Sequence, residues 1–179
     1  MNHMIREKYF LAMIIGLAGC GNPQTQPEQQ AKPQAEEGTA KIPVILDTDA
    51  NNELDDQHAL AYLLFNGGTF DVRGVTVNAT DSGGGIDQHY AEAERILKLC
   101  NLDGKIPLYR GADADFEDIR SSIGQAAYDG KKAVDFIVGE ARKPRDRPLV
   151  LLPVGKLTNI ALALEKAPDI KDKVRIVWL

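Results

Sequence analysis

The sequence is short of several things at once. Cysteine occurs only twice in 179 residues, at Cys20 and Cys100, which excludes a small fold stapled by disulfides. Positive charge is in the minority, with 21 Lys and Arg against 26 Asp and Glu. A nucleic-acid-binding surface needs a basic face, so no nucleic-acid partner is expected. No apolar run approaches the roughly 18–20 residues that span a bilayer as a helix. The remaining balance, 44% hydrophobic and 26% charged, is that of an ordinary globular domain, and it rules out a wholly disordered or collagen-like chain.

The N-terminus reads as an address. Arg6 and Lys8 precede a short apolar stretch, Phe10 to Gly19 (FLAMIIGLAG), with the shape of a secretory signal. It runs into Leu17-Ala18-Gly19-Cys20, which resembles the lipobox of bacterial lipoproteins, where the leader is cut before the Cys and its thiol is lipidated. That likeness implies a signal peptide over residues 1–19, a lipid anchor to the membrane at Cys20, and a place in the cell envelope. Gly21 after the Cys resembles the sorting pattern of outer-membrane lipoproteins of Gram-negative bacteria. The stretch Gly21–Ala40 (GNPQTQPEQQAKPQAEEGTA) has no aromatic or branched aliphatic residue. It cannot bury a core, so residues 20–41 are expected to be a lipidated Cys and a flexible tether. With Cys20 acylated, Cys100 has no partner for an internal disulfide.

From Ile42 onward, strand-like and helix-like patterns alternate. Strands are predicted over Ile42–Asp47, Val72–Val77, Ile106–Tyr109, Leu149–Val154 and Val174–Leu179. Helices are predicted over Leu54–Phe65, Asp87–Leu99, Ala133–Ala141 and Leu157–Leu164. Apolar strand runs alternating with helices point to an α/β fold, a mostly parallel sheet covered by helices in the Rossmann-like manner. Sites in such sheets lie beyond the carboxyl ends of the strands. The last run, VRIVWL, carries no turn signal and reads as a buried strand. A chain end there predicts a truncated domain; the alternative is an edge strand whose terminus reaches water.

Asp47, Asp49, Glu53, Asp55 and Asp56 stand within ten residues (DTDANNELDD). Asp47 and Asp49 share strand spacing, which would point them the same way. Asp55 and Asp56 fall in the first turn of a helix, with Asn52 as its expected N-cap. Carboxylates this close repel one another unless a cation neutralises them. Hard oxygens from an irregular loop suit Ca²⁺, or Mg²⁺ with waters completing its shell. The competing reading is a solvated acidic loop that caps a helix.

The stretch VILDTDANNELDDQHALAYLL resembles the N-terminal signature of the inosine-uridine preferring nucleoside hydrolase family. PVGKLTNIALAL resembles a later segment of that family, and GVTVNAT, AEAERIL and KAVDFI follow its order. The likeness runs over residues 42–179 and corresponds to the N-terminal part of the family domain. It implies the nucleoside hydrolase fold, a Ca²⁺ cofactor and hydrolysis of the N-glycosidic bond of ribonucleosides to ribose and free base. By position, Asp49 matches a calcium ligand that is also the general base. Asp56 matches a bidentate calcium ligand, and Thr158 a residue whose backbone carbonyl ligates the metal. Asp55 matches a residue that grips the ribose hydroxyls, and Asp47 a supporting Asp. The family's sugar-binding Asn after the second strand has no clean match here; Asn78 and Asp81 are the candidates, and Asn78 equally reads as a turn residue in a Gly-rich loop. His58 is either a proton donor to the leaving base or, more often for such a His, a surface residue or one that supports the site residues from behind; His89 and Tyr90 read the same way. Asn159 reads as a cap for its helix, and Lys156 as a positive charge beside the acidic site.

The sequence departs from the family in three places. Five residues, Ala50–Leu54, separate Asp49 from Asp55, a longer loop than the family's, in which Asn51 or Asn52 is a candidate to lend an amide oxygen. No HG-DG-type stretch follows Gly111-Ala112-Asp113. The family's remaining calcium Asp and its catalytic His match positions beyond Leu179. An inactive chain, or a tethered nucleoside- or sugar-binding protein, is therefore the rival to an enzyme. An Mg²⁺-dependent phosphatase of the haloacid dehalogenase type also opens with DxD after a first strand, but its following residues do not match Asn51. A homo-oligomer is compatible with all of these.

Overall fold

The structure, a computed structural model, describes residues 40–178. The leader, Cys20 and nearly all of the Gln/Pro-rich tether lie outside the described residues. Strand β1 (Ile42–Thr48) is the centre of a five-stranded sheet. Its neighbours are β2 (Phe70–Val77) on one side and β4 (Leu149–Pro153) on the other. Short strands β3 (Leu108–Arg110) and β5 (Val174–Ile176) form the two edges. The order is β3-β2-β1-β4-β5, and every pairing is parallel. The chain builds outward from β1 to β3, then returns to the far side of β1. This reversal opens a crevice at the carboxyl ends of β1 and β4, the place where such sheets hold ligands.

Side-chain alternation in β1 sorts the core into two layers. Val44 and Leu46 face α1 (Leu54–Phe65) and α2 (Ile86–Leu99), with Leu60, Leu63, Ala93 and Leu97 packed against them. Ile45 faces the other way, toward α4 (Lys131–Arg142) and α5 (Thr158–Lys166), among Val134, Ile137, Ile160 and Leu162. A short helix, α3 (Phe116–Ile119), which the sequence pattern does not predict, adds Ile119 to that layer. The mostly parallel sheet covered by helices is therefore as expected. The cover is incomplete near β5, where Ile42, Phe70, Val150, Leu152, Val174 and Val177 line an open apolar groove of about 900 Å³. Strand β5 is correspondingly not buried. It is an edge strand, with Ile176, Val177 and Trp178 exposed. No helix among the described residues is long and apolar enough to cross a membrane.

An irregularity between Val44 and Ile45 in the β1–β2 register leaves Arg73 as the extra residue of β2. Its guanidinium reaches Glu140 of α4 at 3.1 Å, and Arg145 reaches the same carboxylate at 2.6 Å. Lys143 also bonds Glu140, whose side chain is only 7% exposed. Burial pushes this carboxyl up, but hydrogen bonds from Lys143 and Arg73 outweigh it and hold the group below the usual range. Glu140→Ala strands two guanidinium groups beside the sheet. It is expected to cost about 2–3 kcal/mol, less than a fully buried pair because Arg73 is one-third exposed. Urea denaturation measures this, and a loss under about 0.5 kcal/mol would contradict it.

Candidate active site at the carboxyl ends of β1 and β2

The alternation that sorts the core also places the site. Asp47 follows Ile45 onto the α5 side and is completely buried. It accepts hydrogen bonds from Thr76 Oγ1 (2.5 Å), Asn78 Nδ2 (2.6 Å) and Asn159 Nδ2 (2.8 Å). Thr48 follows Leu46 onto the α1 side, where its hydroxyl donates to Asp56 Oδ1 at 3.0 Å. Strand β1 ends there, so Asp49 sits in the connecting loop. Asp49 is 1% exposed. Its Oδ2 accepts a 2.5 Å bond from Thr80 Oγ1, while its Oδ1 has no partner.

Burial pushes the Asp47 carboxyl up to about 6, against the lowering effect of its three hydrogen bonds, with Asp49's charge adding to the rise. The Asp56 carboxyl is also pushed up to about 6, first by burial and then by the charge of Asp49. Between about pH 4 and pH 6 the folded chain therefore holds more protons than the unfolded one, and stability falls as pH rises. Glu140 acts with the opposite sign at lower pH, losing its contribution as pH drops through its lowered folded value. In chelator, the urea midpoint is thus expected to peak near about pH 4–5 and decline toward pH 7. A midpoint that stays level from pH 5 to pH 7 would contradict the raised carboxyls.

His89 opens no surface. It is fully buried, with Nδ1 2.8 Å from the Asp49 carbonyl oxygen and 3.2 Å from the Asn51 amide nitrogen, and Nε2 3.0 Å from the Gly84 carbonyl oxygen. It ties the acidic loop to the glycine loop that precedes α2. Asn51 adds a bond from its Nδ2 to Gly83 O at 2.7 Å. Gly83 is required at φ +79°, since a Cβ there would strike Asn51 and His89.

Other sequence expectations are displaced. Asn52 does not cap α1: its backbone NH closes a turn onto Asp49 O at 2.8 Å, and Glu53 takes the N-cap position without a side-chain bond. Asn159 caps nothing either. Besides Asp47 it bonds Val77 O (3.0 Å) and accepts from Ala112 N (2.9 Å), joining three strand ends to α5. Lys156 turns away to Asp115 at 2.7 Å. His58 is exposed, and its place two residues after inward-facing Asp56 puts it about 200° around the helix. Asp55 and Asp81 are exposed, on the first turn of α1 and in the loop after β2. Asn78 is fully buried beneath the loop, and Thr158 is the buried first residue of α5. Cys100 is free. Thr80 and Gly155 carry no sequence signal of their own, because hydroxyls and glycines in loops have no characteristic spacing, whereas His89 takes the supporting one of its expected places.

The donor set fits a hard cation. Asp49, Asp56 and the nearby amide and carbonyl groups are all oxygens, the ligands that Ca²⁺ and Mg²⁺ take. Among the described residues no three His, Cys, Asp or Glu side chains form a ready-made cage, so neutral oxygens would have to complete it. Two buried acceptors lack partners, Asp49 Oδ1 and Asn78 Oδ1. Both line the space beside Gly155, where a Cβ would collide with Asp49 Oδ1 and come within 3.3 Å of Asn78 Oδ1.

Known proteins share this arrangement of chain. A non-specific ribonucleoside hydrolase RihC from Escherichia coli O127:H6 is 28% identical over 150 residues, covering 75% of this chain and 47% of its own. The same-named protein of Klebsiella pneumoniae is 29% identical over 150 residues, with the same coverage. Among solved structures, a purine-preferring ribonucleoside hydrolase from Gardnerella vaginalis superposes with a TM-score of 0.55 at 27% identity, over 76% of this chain and 48% of that one. An inosine-uridine preferring nucleoside hydrolase from Bacillus anthracis shares the fold, with a TM-score of 0.55 at 21% identity over 76% of this chain and 49% of its own. The chain thus spans about half the length of the curated relatives it matches. The family model for inosine-uridine preferring nucleoside hydrolase matches residues 44–179, from the second residue past the start of β1 through both motif-bearing loops, and the chain belongs to that family.

Proposed function

We propose that the acidic pocket is the cation- and ribose-binding part of a nucleoside hydrolase site, serving hydrolysis of the N-glycosidic bond of ribonucleosides. The observation that carries this is the buried, unpartnered Asp49 Oδ1 at the sheet's switch point, in a member of this family. Asp49, Asp56 and the Thr158 carbonyl would hold Ca²⁺, which when bound lowers the pKa of water and stabilises negative charge. Thr80 fixes the Asp49 carboxylate through Oδ2, so that this carboxylate is held both to bind the ion and to take a proton from the attacking water. Asp55, exposed on the first turn of α1, and Asp81 would accept hydrogen bonds from ribose hydroxyls and so orient the sugar. The surrounding carboxylates favour the positive charge that develops on the ribosyl ring as the base leaves.

The test is sugar release from inosine and uridine by the full chain. Reducing sugar should appear with Ca²⁺ and vanish with EDTA. Nucleoside binding without turnover would replace the enzyme with the tethered binding protein, and phosphate release from a phosphomonoester would replace it with the phosphatase. We also propose that residues 1–19 are a lipoprotein signal and that acylated Cys20 anchors the chain in the cell envelope, supported by the basic leader, the short apolar stretch and the lipobox-like end. Fatty-acid labelling in cells should be lost in Cys20→Ser.

A further inference from the structure

Asn78 ends up in an unusual position for an amide. It is completely buried just past β2. Its Nδ2 lies 2.6 Å from Asp47 Oδ1, and a carboxylate oxygen can only accept there, so the orientation of the amide is settled by its partner. The amide oxygen must then face away from Asp47. It faces the space beside Gly155 and finds no donor. A buried amide oxygen without a partner costs on the order of 1–3 kcal/mol, and the same space holds a second such oxygen, Asp49 Oδ1. Two acceptors and no donor around one glycine-lined gap is an arrangement that a cation satisfies directly. Asp47, anchored by Thr76 and Asn159 as well, is the fixed post that aims the amide.

We propose that Asn78 Oδ1 is itself a ligand of the bound cation, a neutral oxygen that completes a site poor in carboxylates, and that Gly155 keeps the gap open for the ion. This rests on the cation reading above, and it reassigns Asn78 from the sugar to the metal. A neutral ligand suits the place, because a further carboxylate beside the buried Asp47 and Asp49 would add like-charge repulsion.

Terbium bound to the full chain tests it, since the luminescence lifetimes in H₂O and D₂O count coordinated waters. Asn78→Ala is expected to bind Tb³⁺ and Ca²⁺ at least about tenfold more weakly and to gain about one bound water. Thr76→Val, which also removes one hydrogen bond from Asp47, should leave the water count unchanged. An unchanged count in Asn78→Ala, or the same gain in Thr76→Val, overturns the ligand assignment while leaving the cation site standing. Failure of the wild-type chain to bind either ion overturns both. Wild-type crystals soaked in Tb³⁺ give a readout that needs no variant. The anomalous peak should lie within about 2.3–2.6 Å of Asn78 Oδ1; a peak beyond about 3.5 Å overturns the assignment.

Discussion

Asp49→Asn is expected to lower ribose release by about 10²–10⁴-fold, the range for losing a positioned general base, while raising the stability of the chelated chain. The two effects have one source. Asp49 is buried with one oxygen spent on Thr80 and the other unpartnered. Its charge pushes up the carboxyls of both Asp47 and Asp56. An Asn is isosteric and can still accept from Thr80, so the fold is kept. It carries no charge to repel its neighbours and cannot take a proton from water. Sugar release with Ca²⁺ and urea denaturation in EDTA measure the two sides. Parallel loss of activity and stability would mean that Asp49 is chiefly structural, and undiminished release would remove it from the chemistry. This opposition of stability and activity is common where like charges are gathered for a reaction.

Asn159→Leu is expected to cost about 4–5 kcal/mol of folding free energy. The side chain is fully buried and makes three bonds, to Asp47 Oδ2, Val77 O and Ala112 N. Leucine keeps the branching with bulkier methyl groups and replaces none of them. Each orphaned buried group costs about 1–3 kcal/mol, and one of the three is a carboxylate. The loss is a large share of the roughly 5–15 kcal/mol that a domain has in total. Gly111 leaves no room for rearrangement, since a side chain there would strike both Val77 O and Asn159. A drop smaller than about 1.5 kcal/mol in urea would show that water takes over these bonds.

The architecture was legible because apolar periodicity reports burial. Helix α1 falls on the predicted residues, Leu54–Phe65, and four of the five strand predictions differ from the observed bounds by at most two residues at either end, while β5 stops three residues before the predicted end. Strand β5 misled because VRIVWL has the composition of a buried strand, whereas exposure depends on what lies beside it. In the site, the clustering of Asp47, Asp49 and Asp56 was visible from spacing alone. Their division of labour was not. Same-face spacing puts Asp47 and Asp49 together only if the strand persists, and β1 stops at Thr48. The role of Asn159 was hidden for a related reason, and the partners of His89 with it: each acts on residues far away in sequence, across 112 positions for Asn159 and Asp47 and 40 for His89 and Asp49. Local patterns carry no record of such pairings.

The opposite facing of Asp47 and Thr48 gives the chain a means of proofreading. A slip of β1 by one residue would send Asp47 toward α1 and Thr48 toward α5, stripping the first of Asn159 and the second of Asp56. Molecules with that error would lose both the post that aims the pocket and the hydroxyl that holds its wall. If the pocket takes up a divalent ion as proposed, that uptake would sort correctly threaded copies from misthreaded ones, and ion titration of a refolding mixture would count the fraction that had assembled properly.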